Sequence, residues 1–528
     1  MVPIARGERR EARGGIASLL AVVLAFLSLI AVSPLGAQAS AYVPLDDIAY
    51  RYVDALMARG QLRELSILER PFTQRALHEA IDSARSHEPS DIVTSYLDAL
   101  SDAVEKYAVR PGNSDTLAAQ TFRARGTGDL YVTAQSSGRR ELMLADSVNG
   151  VRPGGAVRVV MAGGPVVGFT RVLIDSRLNV DPEYAGRKDR KINGRTEDGY
   201  VGGHWKYAEL SLGRVGRNWG PPTEYGLMLG NYAYTYDHLF ARIGSDRIHW
   251  SAVITRLDDS LPAAGPSIER YFSIHRLAVQ WRNVELAASE SYVYAGAGRG
   301  FEMALVNPFN VYGLSWRNER EEGNLGLGGE IAVRTASSGF FAAQLFLDDL
   351  QIDHSCNPNC KQPSSYAATF SAEGLPLAGD QRWFASYTRV TNLAYNNKNP
   401  SEKYESFGVG LGRGFSDYDE VRAGIDVALV PRTPLRLYAA HRRQGEGGYN
   451  VPFPAPADYA STPGIFSGVV SGITRVALSG ASRWSDFEVS GDIGVNRVTN
   501  YNHVPGVTNT AVEGRIKLAV EPRWSISF

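Results

Sequence analysis

The chain has 528 residues, with 55 Lys+Arg against 56 Asp+Glu, so no global field gathers nucleic acid or an anionic surface to it. Tyr (26) and Gly (54) are abundant while Cys (2) is scarce, which excludes a disulfide scaffold and fits an antiparallel β-protein rich in turns. Beyond the N-terminus no apolar run approaches the roughly 20 residues of a spanning helix, so any membrane crossing must be made by strands.

Residues 1–39 read as an export signal. Arg6, Arg9, Arg10 and Arg13 form a positive n-region, Ile16 to Val32 an apolar h-region, and Pro34 and Gly36 break it before the small-residue site Ala37-Gln38-Ala39. The mature chain is expected to start at Ser40. An N-terminal membrane anchor is the alternative, and the absence of Cys at the junction excludes a lipoprotein.

Residues 40–115 are predicted to form a helical bundle. Ile48, Tyr52, Val53, Leu56 and Met57 share a face, with Asp46 or Asp47 to cap the start and Gly60 to end the helix. Thr73 caps a second helix with Leu77, Ala80, Ile81 and Ala84 on its stripe. Pro89-Ser90 opens a third, with Val93, Tyr96, Leu97, Leu100 and Val104 at helical spacing. Such short amphipathic helices pack on one another or cover one end of the following domain.

Across 116–528 the period becomes two. Val421, Ala423, Ile425, Val427 and Leu429 alternate with Arg422, Gly424, Asp426 and Ala428, and Leu277, Val279 and Trp281 with Arg276, Gln280 and Arg282. Leu435, Leu437 and Ala439 resume after the turn Pro431 to Pro434, and Phe407, Val409 and Leu411 read as a further strand. Alternation alone fits a soluble sandwich or a membrane barrel. The export signal favours the barrel. So do short turns (Gly163-Gly164-Pro165, Pro431 to Pro434) alternating with long polar loops near 181–199, 348–366, 392–403, 443–462 and 497–508. So too does a last strand, Trp524, Ile526 and Phe528, ending on an aromatic, which resembles the signal read by the barrel assembly machinery. About 23 residues per strand and connection gives about 18 transmembrane antiparallel strands. Arg276, Arg282, Arg422, Arg436 and Asp426 are expected to face the lumen.

The segment Gly216-Arg217-Asn218-Trp219-Gly220-Pro221, followed by Leu227-Met228-Leu229-Gly230-Asn231, resembles Wzi-type capsule assembly proteins, with Asn218 where a second Trp is common. Asn307-Pro308-Phe309, and Val43-Pro44-Leu45 through to Arg70-Pro71-Phe72-Thr73, also fit that pattern. The resemblance implies an 18-stranded outer-membrane barrel with a periplasmic helical bundle. It further implies a lectin-like role in holding capsular or related polysaccharide at the cell exterior.

For chemistry, no G-x-S-x-G elbow, H-E-x-x-H or phosphate-binding loop is present, so no catalytic residue, metal or cofactor is assigned. The expectation is a non-enzymatic polysaccharide-binding protein embedded in outer-membrane lipid. A diffusion porin and a barrel enzyme with a Ser–His pair at the lipid face are the alternatives. Candidate polysaccharide contacts are Trp219 and the alternating Tyr232, Tyr234 and Tyr236, which otherwise serve as a packing corner and an interfacial girdle. The basic cluster Arg187, Lys188, Arg190 and Lys191 is the third candidate, as a match for an acidic polymer or simply a solvated loop. Cys356 and Cys360, spaced Cys-Asn-Pro-Asn-Cys, are expected to form a disulfide that shapes a loop tip, with a metal site involving Asp353 and His354 as the rival.

Overall fold

The computed structural model describes residues 39–109, 122–144, 148–262, 265–314, 323–350, 361–522 and 526–527. The export signal and the Cys356–Cys360 pair lie outside the described residues. Eighteen antiparallel strands form a closed barrel in which each pairs with its sequence neighbours. They are β1 (Arg123–Gln135), β2 (Gly150–Gly163), β3 (Val166–Asp175), β4 (Asn193–His204), β5 (Ala208–Arg214) and β6 (Asp237–Gly244). Then follow β7 (Ile248–Arg256), β8 (Glu269–Trp281), β9 (Val284–Gly296), β10 (Asn324–Arg334), β11 (Phe340–Asp349) and β12 (Ser365–Pro376). The last six are β13 (Arg382–Val390), β14 (Tyr418–Val430), β15 (Thr433–Gln444), β16 (Ser471–Trp484), β17 (Phe487–Thr499) and β18 (Thr508–Val520). β18 closes the sheet on β1, Leu130 opposite Val520, and the short piece Ile526–Ser527 returns to the same strand.

The barrel has two unlike ends. At one, every connection has two to five residues, as at Gly164-Pro165, Arg282-Asn283, Pro431-Arg432 and Ser485-Asp486; at the other, connections run from eight to 27 residues. The wall is apolar outside. Val421, Leu429, Leu437 and Trp281 are exposed, while Arg276, Asp426, Tyr438 and Glu330 on alternate positions are buried. An outward greasy belt around a polar lumen is the pattern of a barrel in hydrocarbon, where only a closed sheet leaves no backbone group unpaired. The alternation of β8, β14 and β15 is as expected, except that Arg282 sits in the turn, with its guanidinium 5.3 Å from the Trp281 ring. Phe407 to Leu411 is not a wall strand. Glu405–Ser406 and Val409–Gly410 form a miniature hairpin inside the long β13–β14 connection, turning at Phe407 (φ 50°) and Gly408 (φ 78°).

Three helices precede the barrel: α1 (Ala49–Met57), α2 (Gln74–Arg85) and α3 (Asp91–Val104). The Thr73 hydroxyl accepts from Ala76 N–H, and Asp47 Oδ1 accepts from Ala49 N–H at 2.9 Å, which satisfies N-terminal donors that the helices leave free. The apolar stripes meet in one core that also takes in Val160, Phe169, Phe340, Ala342 and Ala481 from the inner wall. The bundle therefore both packs on itself and stoppers the short-turn end. Tyr52 donates to Arg432 O at 2.9 Å, and Ser95 Oγ accepts from Arg432 N–H at 3.1 Å. At Gly374 the wall approaches the head so closely that an added Cβ would lie 2.1 Å from Ala58 O, and φ is +69°, so only glycine fits.

The charged seam is centred on Lys106, whose ammonium lies 2.9 Å from Asp47, 3.4 Å from Glu488 and 3.6 Å from Glu521 with its side chain 5 % exposed. Burial alone would raise the Asp47 carboxyl, but Lys106 and hydrogen bonds from Ala49, Lys106 and Tyr107 hold it well below the usual carboxylate range. Burial opposes the Lys106 charge too, but the three carboxylates outweigh it and raise its pKa. A depressed carboxyl stabilises the folded state above about pH 4 and loses that contribution as the pH falls; a raised ammonium loses its contribution only above about pH 10. Docking of the head is therefore strongest between these limits. Lys106→Met takes from Asp47 its ion-pair partner, while Glu488 keeps Arg483 and Glu521 keeps Arg158 and Arg483, and should cost about 3 kcal/mol, read as a lower melting temperature in detergent and faster proteolysis of the helical head. A melting temperature equal to wild type would remove this seam from the account.

Candidate functional site

The long-loop end is built by connections that turn inward as well as outward. The β5–β6 connection, 215–236, descends into the lumen and meets the segment that follows α1. Glu69 and Arg70 pair antiparallel with Trp219 and Asn218, and Gly220 N–H donates to Leu68 O at 2.9 Å. Two plugs thus join inside the barrel. Arg276, fully buried on β8, ties the joint to the wall: its guanidinium lies 2.9 Å from Glu69 and 2.7 Å from Glu330 on β10. Gln344 on β11 donates to Trp219 O at 2.8 Å and accepts from Leu227 N–H at 2.8 Å. Burial favours the neutral Glu69 carboxyl, but His249 and Arg276 hold its pKa low.

This geometry places the predicted contacts. Trp219 is 1 % exposed in an apolar core with Leu227, Met228, Phe272, Phe346, Tyr395 and Tyr404, so as placed it offers no face to a sugar and acts as packing. Asn218 has a structural job: its Oδ1 accepts from Gly226 N–H at 2.7 Å and its Nδ2 donates to Glu224 O at 3.1 Å. Around this core the β13–β14 connection also folds in, with Tyr395 and Tyr404 donating to Leu227 O and Met228 O, each at 2.7 Å. The approach is backbone on backbone, since a Cβ on Gly412 would lie 2.0 Å from Leu227 O.

Tyr232, Tyr234 and Tyr236 lie in the same infolded loop, not on the outer wall, so they form no interfacial girdle. The Tyr234 ring is sandwiched between the guanidiniums of Arg140 (3.5 Å) and Arg195 (4.4 Å), and its hydroxyl donates to Asp181 at 2.6 Å. Tyr232 is buried and donates to Glu183 at 2.7 Å. Burial raises the Glu183 carboxyl, against the Tyr232 hydrogen bond. Tyr236 is half-buried, edge-on to His238. These tyrosines pin three loops together, 136–144, 176–192 and 215–236. On that clamp ride Arg187, Lys188, Arg190 and Lys191, all exposed, with Asp189 paired to Arg187 at 2.5 Å. The composite clamp of Arg140, Asp181, Glu183 and Arg195 was invisible to motif reading because its members come from two connections and strand β4; the Arg139-Arg140 doublet beside a turn was the available hint.

No protein-family model and no curated protein sequence matches this chain. Among solved structures it is similar to Wzi of Escherichia coli, an outer-membrane protein involved in group 1 capsule assembly and described as a carbohydrate-binding β-barrel. The TM-score is 0.60 at 13% identity, over 92% of this chain and 99% of that one. The chain has the Wzi fold. Pseudomonas aeruginosa OprD (9% identity, TM-score 0.41, 77% of this chain and 95% of that one) and OpdK (10%, 0.45, 77% and 99%) are also similar, more distantly. At these identities the Wzi likeness establishes the fold: a closed outer-membrane-type β-barrel preceded by helices.

One more cluster bears on chemistry. Ser273, His275 and Glu290 lie on the outward face of β8 and β9, yet each is buried. His275 Nε2 lies 3.2 Å from Glu290, but Ser273 Oγ and His275 Nδ1 have no hydrogen-bond partner. Ser273 and His275 are thus not hydrogen-bonded to one another in this arrangement.

The joined plugs predict electrical silence. Wild-type protein in a planar bilayer should give no steady conductance, and excision of 218–230 should open the lumen. Large steady currents through the intact chain would contradict the plug. Separately, Glu69→Ala leaves Arg276 short of a carboxylate inside the barrel and should cost about 3 kcal/mol, read as a lower melting temperature in detergent.

Proposed function

We propose that this protein is a non-enzymatic outer-membrane polysaccharide-binding protein that retains or assembles capsular or exopolysaccharide at the cell surface. In this reading the helical head lies in the periplasm and the long connections lie outside, the barrel assembly machinery inserts the chain, and residues 1–39 direct export. The observation that carries the reading is a barrel stoppered at one end, plugged within, and bearing at the other end an exposed basic strip on clamped loops. A filled lumen suits holding better than passage. The Wzi fold supports the same role, since Wzi is described as carbohydrate-binding.

The exposed strip Arg187 to Lys191 attracts an acidic polymer by charge, an interaction that salt screens beyond about 8–10 Å. Exposed ion pairs contribute only about 0.2–1 kcal/mol each, so affinity comes from repeated contacts along a long chain. Arg187→Ser, Lys188→Ser, Arg190→Ser and Lys191→Ser combined should weaken binding to an acidic polysaccharide about tenfold and flatten its salt dependence. Binding that is unchanged would move the contact elsewhere on the loop surface. Cells lacking the protein should shed polymer into the medium while total synthesis is unchanged. Blocked synthesis would count against retention.

A further inference from the structure

Residues 297–314, which open the β9–β10 connection, leave the long-loop end and run back down the outside of the barrel. Strand parity identifies the surface it covers. On β8, Leu277, Val279 and Trp281 point outward, so Tyr271, Ser273 and His275 do too; on β9, Leu286 points outward, and so do Glu290, Tyr292 and Tyr294. These side chains should face hydrocarbon, yet all are buried. The cover is the segment 297–314: Leu305 and Tyr312 join Tyr271, Tyr292 and Tyr294 in one cluster, Phe301 packs edge-on to Tyr271 at 4.8 Å, and Phe309 stacks on Trp250 at 5.6 Å. Trp250 is level with Leu277 and Ala288, well toward the short turns. The segment therefore overlies the middle of the wall as well as its rim.

Irregular chain in hydrocarbon is tolerated only if its polar groups are satisfied without water. Here the outward polar residues of the wall do that. Glu290 accepts from Tyr312 N–H (2.6 Å) and Gly313 N–H (2.7 Å), Tyr271 donates to Arg299 O (2.8 Å), and Tyr294 Oη accepts from Glu302 N–H (3.5 Å). Within the segment, Tyr312 donates to Leu305 O, Asn310 Nδ2 to Ala304 O, and the turn Met303–Val306 closes its own backbone bonds. The opposite face is greasy: Phe301, Met303, Phe309, Val311 and Leu314 are exposed, and Met303 is 66% exposed. That face is continuous with the lipid belt, whose nearest members, Ile248, Trp281, Leu286, Leu327 and Ile331, are exposed at the same wall.

We propose that 297–314 is a membrane-embedded flap whose partner is the acyl chains of the surrounding lipid, held to the barrel by the Glu290 carboxylate. An aqueous loop would have no use for five exposed apolar side chains, and a lipid-facing wall would have no use for a buried His275–Glu290 pair. Each anomaly is resolved by the other.

The test uses the full chain with Cys356→Ser and Cys360→Ser, a nitroxide on Met303→Cys or Phe309→Cys, and reconstitution in phosphatidylcholine–phosphatidylglycerol vesicles. Leu286→Cys is the lipid control and Lys188→Cys the aqueous one. Accessibility to oxygen like that of position 286, with exclusion of a water-soluble nickel chelate, is expected at both flap positions. Chelate access equal to position 188 overturns the proposal, and protection from both reagents means that a second copy or another protein covers the flap, which overturns it equally. Glu290→Ala, checked for an intact barrel by heat-modifiable gel mobility, should raise chelate access at position 309 at least severalfold, and Glu290→Gln should raise it less. A spectrum unchanged in Glu290→Ala would remove Glu290 as the latch.

Discussion

A backbone N–H has no water to turn to inside a bilayer, and that single fact governs this molecule. It demands a closed sheet, which β18 provides by pairing with β1. Closure then fixes two faces with opposite solvents, and the two-residue period assigns each side chain to one of them. The outer face carries Leu, Val, Ile and Trp. The inner face carries arginines and carboxylates that are nearly all paired, such as Arg436 with Asp426 at 2.7 Å and Arg158 with Asp129 at 2.6 Å. Isolated charges in so dry an interior would be costly, so pairing is the condition on which a filled polar lumen exists.

The filling follows from that wall chemistry. A polar lumen of eighteen strands is too wide for wall side chains alone to occupy, and here chain segments complete it. The head enters from the short-turn end and 215–236 from the other, and they meet where Arg276 holds Glu69. The joint is mixed in character: an ion pair on one side, the Trp219 core on the other. The ion pair fixes register, since Glu69 opposite Trp219 is the pairing that brings the carboxylate to Arg276, and the apolar core supplies burial. Such a joint ties the two plugs to the wall through both charge and apolar burial.

Much of the fold was legible because its elements obey local rules. The helical stripes of α1 to α3, the Thr73 cap and the turn at Arg282-Asn283 follow from periodicity and turn chemistry, and the count of about eighteen strands from chain length; the turn read at Pro431 to Pro434 is shorter, because Thr433 and Pro434 already belong to β15. Reading failed where chain enters the barrel. Ser406 to Gly412 alternates as a strand does, but its glycines serve a hairpin and a close backbone approach, and alternation cannot tell the two apart. Tyr232 and Tyr234 alternate too, yet their partners come from elsewhere: Asp181, Glu183 and Arg140 from other connections and Arg195 from strand β4. No spacing along the chain encodes a contact of that kind. The loop 215–236 carried the most distinctive residues, and its sequence left Trp219 open between a ligand surface and a packing corner because its burial depends on the segment at Glu69, nearly 150 residues earlier.

The outward-facing His275 and Glu290 carry the same lesson from the opposite direction. Within β8 and β9 they break the apolar rhythm, and a reader of either strand alone would call them errors or a polar active site. Placed under the β9–β10 connection they are neither, because Glu290 accepts from that connection's Tyr312 and Gly313 N–H groups while His275 pairs with Glu290. Polar residues on the wrong side of a barrel wall thus report what lies against the wall. An inward-folded loop needs partners in the lumen and finds them in Gln344 and Arg276; an outward-folded one needs partners on the belt and finds them in Glu290, Tyr271 and Tyr294. The requirement that each buried backbone group be met determines where both loops can lie, and it links the long-loop end, the plug and the lipid-facing wall through one accounting of hydrogen bonds.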